Sequence, residues 1–236
     1  LYAQRLLDNG NDFQAAGVVR RDLVSGEVES DKSSMAIKYH GFLGGHEYDL
    51  LVARHYGDDF LGLGFSTDFA GTILRGDLVW SGTDHGDYVS ALAGVSYSGV
   101  ISGHNWSGFL EYFYNGLGQS GGAYSVAELT TNPELVKRLA RGELFNIAKH
   151  YLGASVTIEL TPLVLLTPNL FMNLTDPSAL AQLVMSYDWK QDIQVLGALN
   201  IPVGADGSEY GGLKTNQPGV YVSTGPSVFV QLAWYF

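Results

Sequence analysis

Segments of about ten residues with strict two-residue alternation recur along the whole chain. The clearest is VFVQLAWYF, residues 228–236, in which one face carries Val228, Val230, Leu232, Trp234 and Phe236. The opposite face is mixed and includes Gln231. Alternation of this kind predicts β-strands whose two faces meet different environments.

The pattern predicts about twelve such strands and a weaker thirteenth, LYAQRLL, at residues 1–7. Turn residues separate the segments, and almost no helical periodicity lies between them. We therefore expect an all-β fold, an antiparallel up-and-down meander that forms a single domain over residues 1–236, rather than a βαβ sheet.

The connections between the predicted strands sort by length. Alternate connections are brief, such as LGGH at residues 43–46 and ISGH at residues 101–104. The three longest, at about residues 24–33, 117–145 and 204–226, all fall on the other side of the meander. A soluble β-sandwich has no reason to sort its loops in this way.

One helix is expected, inside the 117–145 connection. Asn132 is a suitable N-cap, Pro133 fits the first helical position and Glu134 suits the positive helix end. Leu135 and Leu139 belong to its short apolar stripe. The helix either packs on the surface around the strand ends or folds over or into a pore as a constriction or lid.

Composition excludes several classes of protein. A net charge of −11 argues against a nucleic-acid-binding protein. The absence of cysteine removes disulfides and thiolate metal sites, and no run of about 18 apolar residues is available for a transmembrane helix. Charged residues make up 16% of the chain, below the roughly 25% typical of soluble domains. This balance favours a β-barrel with one apolar and one polar face.

The alternating strands, the sorted connections and the terminal VFVQLAWYF resemble Gram-negative outer-membrane β-barrels. Stretches such as FLEYFYNGLGQ and PSALAQLVMSYDW are similar to porin-like proteins of that group, without indicating a specific family. The resemblance implies a transmembrane β-barrel of about 12–14 visible strands in the bacterial outer membrane. It also implies contact with lipid and lipopolysaccharide, and an insertion signal for the barrel-assembly machinery at Leu232, Trp234 and Phe236.

Single-chain bacterial barrels have even strand numbers. Counting LYAQRLL as a strand makes the number odd, so we expect the chain to be part of a larger barrel. A homo-oligomer and an envelope partner protein both remain open.

Alternation also predicts which polar side chains point inward. The candidates for a pore lining are Arg20, Lys38, His40, Asp49, Arg75, Asp77, Glu111, Lys149, Glu159, Asn169, Gln182 and Asp188. Charges of both signs can create a transverse field that selects polar solutes, or can pair and stiffen a closed lumen. Arg54 departs from the pattern, because strict alternation places it outward; snorkelling to lipid headgroups, a β-bulge and a register error are the three explanations.

An enzyme is the weakest of the functional hypotheses. Asp58, Asp59, Asp84, His85 and Asp87 lie in turns and resemble the carboxylate pair and Asp–His couple of omptin-type proteases. Acidic turns are nevertheless common for conformational reasons, and calcium binding by the loops is another alternative. No Ser–His arrangement within one strand and no zinc or phosphate-loop motif is present in the sequence.

The sequence therefore predicts a channel that allows small polar solutes to diffuse through, with no cofactor, no metal and no nucleic-acid partner. A non-conducting structural or docking barrel of an envelope assembly is the alternative. A barrel hydrolase is less favoured than either.

Overall fold

The computed structural model describes residues 1–122 and 124–236, so Ala123 of the expected 117–145 connection lies outside the described residues. The strands are β1 (Tyr2–Leu6), β2 (Asp12–Val18), β3 (Ser34–Leu43), β4 (His46–His55), β5 (Asp58–Phe69), β6 (Thr72–Thr83), β7 (Gly86–Ile101), β8 (His104–Tyr114), β9 (His150–Thr161), β10 (Val164–Asn173), β11 (Ser178–Lys190), β12 (Ile193–Val203), β13 (Leu213–Lys214), β14 (Tyr221–Val222) and β15 (Ser227–Trp234). The helices are α1 (Val126–Thr130) and α2 (Pro133–Ala140).

Thirteen strands form one antiparallel sheet in the order β1 to β12 followed by β15. The remaining two, β13 and β14, pair with each other inside the connection between β12 and β15. The predicted all-β, up-and-down antiparallel architecture is therefore confirmed, including the weak first strand. The small β13–β14 ribbon was not predicted.

The chain divides into two compact units, residues 1–93 and 94–236. Unit 1 contains β1 to β6 and the beginning of β7, and unit 2 contains the rest of β7 and all later elements. In unit 1 the longest connection is residues 19–33, and in unit 2 the longest are residues 115–149 and 204–226. In each unit, we call the strand ends that carry these long connections the long-loop edge, and the opposite strand ends the short-turn edge.

Each sheet face in unit 1 has its own chemistry. Leu50, Leu63 and Leu78 are direct cross-strand neighbours on β4, β5 and β6. They are 45%, 55% and 45% exposed, so no other part of the described chain covers them. The positions next to these leucines in sequence point to the other side of the sheet and carry polar and small residues such as Asp49 and Gly64. We call the two sides the apolar face and the polar face.

Unit 2 repeats this arrangement. Leu183, Leu199 and Val228 are cross-strand neighbours on β11, β12 and β15, and all three are exposed. Their alternates, among them Gln182 and Asn200, form the polar face. No helix of the described residues is long and apolar enough to cross a membrane.

The buried apolar residues are not in the body of the sheet. Among the described residues, the buried hydrophobic side chains are Leu117, Tyr124, Leu135, Ile147, Ala148 and Tyr151. All of them belong to the connection between β8 and β9 or to the start of β9. A globular sandwich would instead bury one face of every strand. The sheet thus exposes an apolar face, and contact of this face with water would be unfavourable in free energy.

The 115–149 connection contains two helices where one was expected. The predicted helix is α2, with Asn132 as N-cap accepting a hydrogen bond from the Leu135 N–H at 3.2 Å and Pro133 in its first turn. The unexpected helix is α1. It begins after a capping box in which the Ser125 hydroxyl accepts from the Glu128 N–H and the Glu128 carboxylate accepts from the Ser125 N–H.

Candidate functional site: the polar face of the sheet

A row of charged side chains crosses the polar face of unit 1. Asp49 on β4 lies opposite His40 on β3 in the strand register. One of its carboxylate oxygens, Oδ1, is 2.9 Å from His40 Nδ1 and 3.0 Å from Lys38 Nζ. The predicted inward residues Lys38, His40 and Asp49 therefore form one cluster on β3 and β4.

Gly64 extends the row to the next strand. It lies between Asp49 and Asp77 in the register of β4, β5 and β6. A Cβ atom on Gly64 would come within 2.9 Å of Asp77 Oδ1 and 3.2 Å of Asp49 Cβ. The missing side chain of Gly64 therefore lets two carboxylates approach from opposite sides.

A cavity of about 170 Å³ opens at this point of the polar face. Its lining includes Glu47, Asp49, Asp77 and the guanidinium-bearing Arg75. Arg75 faces Ser66 in the register, and both Arg75 and Asp77 are exposed. The sequence analysis predicted Asp49, Arg75 and Asp77 as lining residues but missed Glu47, although alternation places it on the same face as Asp49, two positions earlier in β4.

At the long-loop edge of unit 1, Arg20 lies beyond the end of β2, in the connection to β3. Its Nη1 donates to Ser34 Oγ at 2.7 Å and to the Lys32 carbonyl at 2.6 Å, and its guanidinium lies 4.3 Å from the centre of the Tyr56 ring. Ser34 Oγ is also 2.6 Å from His55 Nδ1. Sequence reasoning missed this Ser–His contact because the two residues face each other across neighbouring strands, β3 and β4.

The polar face of unit 2 is built mainly from amides. Asn169 Nδ2 donates to Gln182 Oε1 at 3.2 Å, and Gln182 Nε2 donates to Asn200 Oδ1 at 2.7 Å. Asn200 Nδ2 then donates to Ser227 Oγ at 3.1 Å. These side chains form a continuous hydrogen-bonded row across β10, β11, β12 and β15, with no formal charge. It offers polar groups to a solute without a strong local field.

The remaining predicted lining residues of unit 2 are spread along its strands. Glu111 lies opposite Gly153. Near the short-turn edge, Asn105 Nδ2 donates to Glu159 Oε2 at 2.8 Å, and Gln194 Nε2 donates to Asp188 Oδ1 at 2.8 Å. Lys149 lies just before β9, where its carbonyl accepts the Asn115 N–H.

Residues 115–122, 124–149 and 204–226 fold together into one compact layer, which we call the cap. Its core contains Tyr124, Ile147 and Ala148, packed with Tyr151 at the start of β9. Phe113 of β8 and Leu213 of β13 pack against the same core. Phe113 and Tyr151 have the same parity as Glu111 and Gly153, so they belong to the polar face. The cap therefore lies on the polar face at the long-loop edge of unit 2.

The core of the cap is anchored to Phe113 and Tyr151, near the ends of β8 and β9. The cap covers part of the face that carries the predicted lining residues. Both expected arrangements, a helix packed around the strand ends and a helix folded over a pore, agree with this position and stay predictions.

The most extensive side-chain network of the cap centres on Glu209. Glu209 Oε2 accepts hydrogen bonds from Tyr151 Oη at 2.7 Å and from Asn173 Nδ2 at 2.8 Å, and Oε1 accepts from the Ile147 N–H at 3.2 Å. Asn173 is fully buried and also donates to Tyr124 Oη at 3.1 Å. Nothing in the sequence around Glu209 pointed to this role, because its partners come from three distant segments.

Burial is the main cause of the altered ionisation in the cap. It raises the pKa of Glu209 above the usual value, against the three donors that favour the carboxylate, and the nearby negative charge of Asp176 adds to the increase. Burial also raises the pKa of Tyr124 and raises the pKa of Tyr210 to about 12.

Arg54 lies on the apolar face, as alternation predicted. The register from β3 to β5 is regular at this point, with Met35 and Asp59 as its neighbours, so a β-bulge does not explain its position. Arg54 Nη1 is 3.8 Å from Asp59 Oδ1 at the long-loop edge. Asp58 and Asp59 are successive residues of β5 and point to opposite faces, so they do not form the carboxylate pair that an omptin-like site would need.

Two of the three residues predicted as an insertion signal lie on the apolar face of the last strand. Leu232 and Trp234 are opposite Val195 and Ile193 in the register and are both exposed. Trp234 Nε1 donates to Asp192 Oδ2 at 3.0 Å, which ties the strand to the turn between β11 and β12. Phe236 follows β15 and is fully exposed.

Within residues 1–122 and 124–236, no group of three or more His, Asp or Glu side chains is placed to hold a metal ion.

The sequence matches no family model, and no curated protein matches it. Among solved structures, the chain is similar to that of the NanC porin in a rhombohedral crystal form. The alignment covers 86% of this chain and 93% of that chain, with 10% sequence identity and a TM-score of 0.38.

Proposed function

We propose that the protein is a porin-like channel of the bacterial outer membrane, through which small polar solutes diffuse. The observation that carries this proposal is the division of the sheet into an exposed apolar face and a polar face with continuous rows of hydrogen-bonding groups. In lipid, the apolar face is favourable, and only a helix or a closed sheet can satisfy all backbone groups there. The polar face would then line an aqueous path.

The charges and amides of the two polar rows indicate the selectivity of such a path. The charged row presents Glu47, Asp49 and Asp77 together with Arg75 around one cavity, so carboxylates outnumber guanidiniums there. The amide row of unit 2 is neutral. A path lined in this way favours small polar solutes and, where ions pass, cations over anions.

The test compares two arginines on opposite faces. We expect Arg75→Gln to increase the preference for cations, because it removes a positive charge beside three carboxylates. Arg54→Gln removes the same charge from the apolar face and should leave the selectivity unchanged. The measurement is the reversal potential of single channels in a planar bilayer with a salt gradient. Equal shifts in both variants, or a folded wild-type protein that never conducts, would contradict the proposal.

A non-conducting docking barrel is the second candidate, and the cap favours it. Its buried core covers part of the polar face at the long-loop edge of unit 2. If the cap fills the path completely, the folded protein will be electrically silent under all conditions. Heat-modifiable gel mobility would show that the silent protein is folded.

A barrel hydrolase receives limited support from the contact of Ser34 with His55. A nucleophilic serine needs such a base within hydrogen-bond reach. A fluorophosphonate probe tests this alternative directly. We expect the probe to label the wild-type protein no more than it labels Ser34→Ala. Labelling of the wild type that disappears in Ser34→Ala would support the hydrolase.

A further inference from the structure

The two connections of the cap are joined by backbone hydrogen bonds. Tyr124 N–H donates to the Gly207 carbonyl at 3.1 Å, and the Tyr124 carbonyl accepts the Lys214 N–H at 3.1 Å. Ser125 and Lys214 form an isolated parallel bridge beside these bonds. Residues 115–122, 124–149 and 204–226 therefore move as one layer as long as these contacts persist.

Glu209 fastens this layer to the sheet. Its carboxylate binds Tyr151 of β9 and Asn173 at the end of β10, both on the polar face, and the Ile147 N–H of the other connection. Its own N–H donates to Asp176 Oδ2 at 2.6 Å, in the connection between β10 and β11. The side chain and the backbone N–H of Glu209 together thus bind four other segments of unit 2.

We propose that Glu209 is a latch that holds the cap over the polar face, and that the latch releases as the pH rises. This inference rests on the proposed channel function and adds a regulatory element to it. The closed latch holds an ionisable group partly away from water. The stability of the closed state therefore depends on the protonation of that group.

Several titratable groups face Glu209. Tyr151 approaches from β9, Asp176 from the β10–β11 connection and Tyr124 from the 115–149 connection, while Tyr210 belongs to the same connection as Glu209. The negative charge of Asp176 repels that of Glu209 and so raises the pKa of Glu209 further. The tyrosines stay protonated in the physiological range, since burial raises the pKa of both Tyr124 and Tyr210.

The sign of the pH dependence follows from the shift of Glu209. Its pKa is raised in the latched state and returns to the ordinary value once the cap is released into water. The latch is therefore strongest below the ordinary pKa of a glutamate and weakens as the pH rises through the higher latched pKa. A lower pH therefore favours the closed state of the path, and a higher pH favours the open state.

The first test compares single-channel conductance at about pH 5 and about pH 8, because the raised pKa of Glu209 makes the latch weaker at the higher pH. We expect long closures at the lower pH and few at the higher pH. Glu209→Ala should remove the closures at both values. Glu209→Gln should keep some closures but remove their pH dependence. Asp206→Asn, which removes an exposed carboxylate from the same connection, should behave like the wild type.

A cross-link provides an independent test, because the chain has no cysteine of its own. A Cβ atom on Gly122 of the cap would lie 3.6 Å from Asp176 Cβ in the connection between β10 and β11, a separation that suits a disulfide, so Gly122→Cys with Asp176→Cys should cross-link the cap to the sheet. Oxidation should lock the channel in its low-conductance state at about pH 8, and reduction should restore opening. Each single cysteine variant should be insensitive to oxidant.

A measurement that does not need conduction separates the two proposals. Nitroxide labels on the same two cysteines should show strong dipolar broadening at low pH and lose it at high pH. A wild-type protein that never conducts would overturn the channel function, while this pH-dependent broadening would still support the latch. Conduction with no effect of pH, of Glu209→Ala and of the cross-link would overturn the latch and leave the channel function intact.

Discussion

Leu50 and Leu51 are successive residues of β4 that point to opposite faces of the sheet. Leu50 lies opposite Leu63 on the apolar face and is 45% exposed. Leu51 lies opposite Gly62 and belongs to the same face as Asp49. Sequence alternation predicted this division from the side-chain period of a strand.

The neighbouring leucines make a direct test of which face meets lipid. We expect Leu50→Arg to reduce the free energy of unfolding by about 2–4 kcal/mol, because it places a charge on the lipid face near the middle of a strand. Leu51→Arg should have a much smaller effect, since its charge would meet water. The measurement is guanidinium unfolding of the protein in lipid vesicles. Equal losses in the two variants would contradict the assignment of the faces.

Glu209 shows what residue-level reasoning could not reach. It stands in SEYGG, a stretch that reads as an ordinary polar loop. Its hydrogen-bond partners Ile147, Tyr151 and Asn173 are between 36 and 62 positions away in sequence. Only the packing of the cap brings them together, and only that burial alters its ionisation.

At the scale of elements, the hairpin turns are the most regular local structure. Both central residues have positive φ in the turns at Gly44–Gly45, Tyr56–Gly57, Ala70–Gly71 and Ser102–Gly103. This is the type I′ geometry, whose twist matches that of the flanking strands. Glycine adopts it freely, whereas Ala70 at φ 54° holds a conformation that disfavours a Cβ atom.

Ala70 therefore offers a stabilising substitution. We expect Ala70→Asn to raise the free energy of unfolding by about 0.5–1 kcal/mol, because asparagine tolerates positive φ better than alanine does. Ala70→Val should lower it, since a β-branched residue is disfavoured there. Both variants can be compared by guanidinium unfolding in vesicles. A stabilised Ala70→Val would show that turn conformation does not control this hairpin.

The two helices differ in how readily they can be predicted from the sequence. Asn132 and Pro133 mark the start of α2, and both were recognised from the sequence. Helix α1 spans only Val126–Thr130 and has no apolar stripe long enough to be detected. The spacing of Ser125 and Glu128 in SVAE was the available signal, because it is the sequence pattern of a capping box.

At the scale of the whole molecule, the cap and the sheet are joined through few strand positions. The pairing of β8 with β9 extends from Trp106–Ile158 to Tyr114–His150 and does not involve the cap helices. The cap reaches the sheet mainly through Phe113, Tyr151 and Asn173. The strand framework should therefore survive loss of the cap.

We expect replacement of residues 118–147 by a short Gly/Ser linker to give a folded protein with higher conductance and no acid-induced closure. The matched control replaces residues 22–28, part of the long connection of unit 1, and should leave both properties unchanged. Single-channel recording measures the conductance, and heat-modifiable gel mobility checks folding. An unchanged conductance after removal of the cap would contradict its role over the polar face.

The sequence by itself determined the strands, their antiparallel order and the faces on which Leu50, Asp49 and Arg54 lie. These properties depend on the two-residue period of a strand and on short turns, which are local in sequence. Only the tertiary structure decided that the cap packs on Phe113 and Tyr151, that Gly64 separates Asp49 from Asp77 and that Glu209 is partly buried. These properties depend on contacts between distant segments, and no local periodicity encodes them.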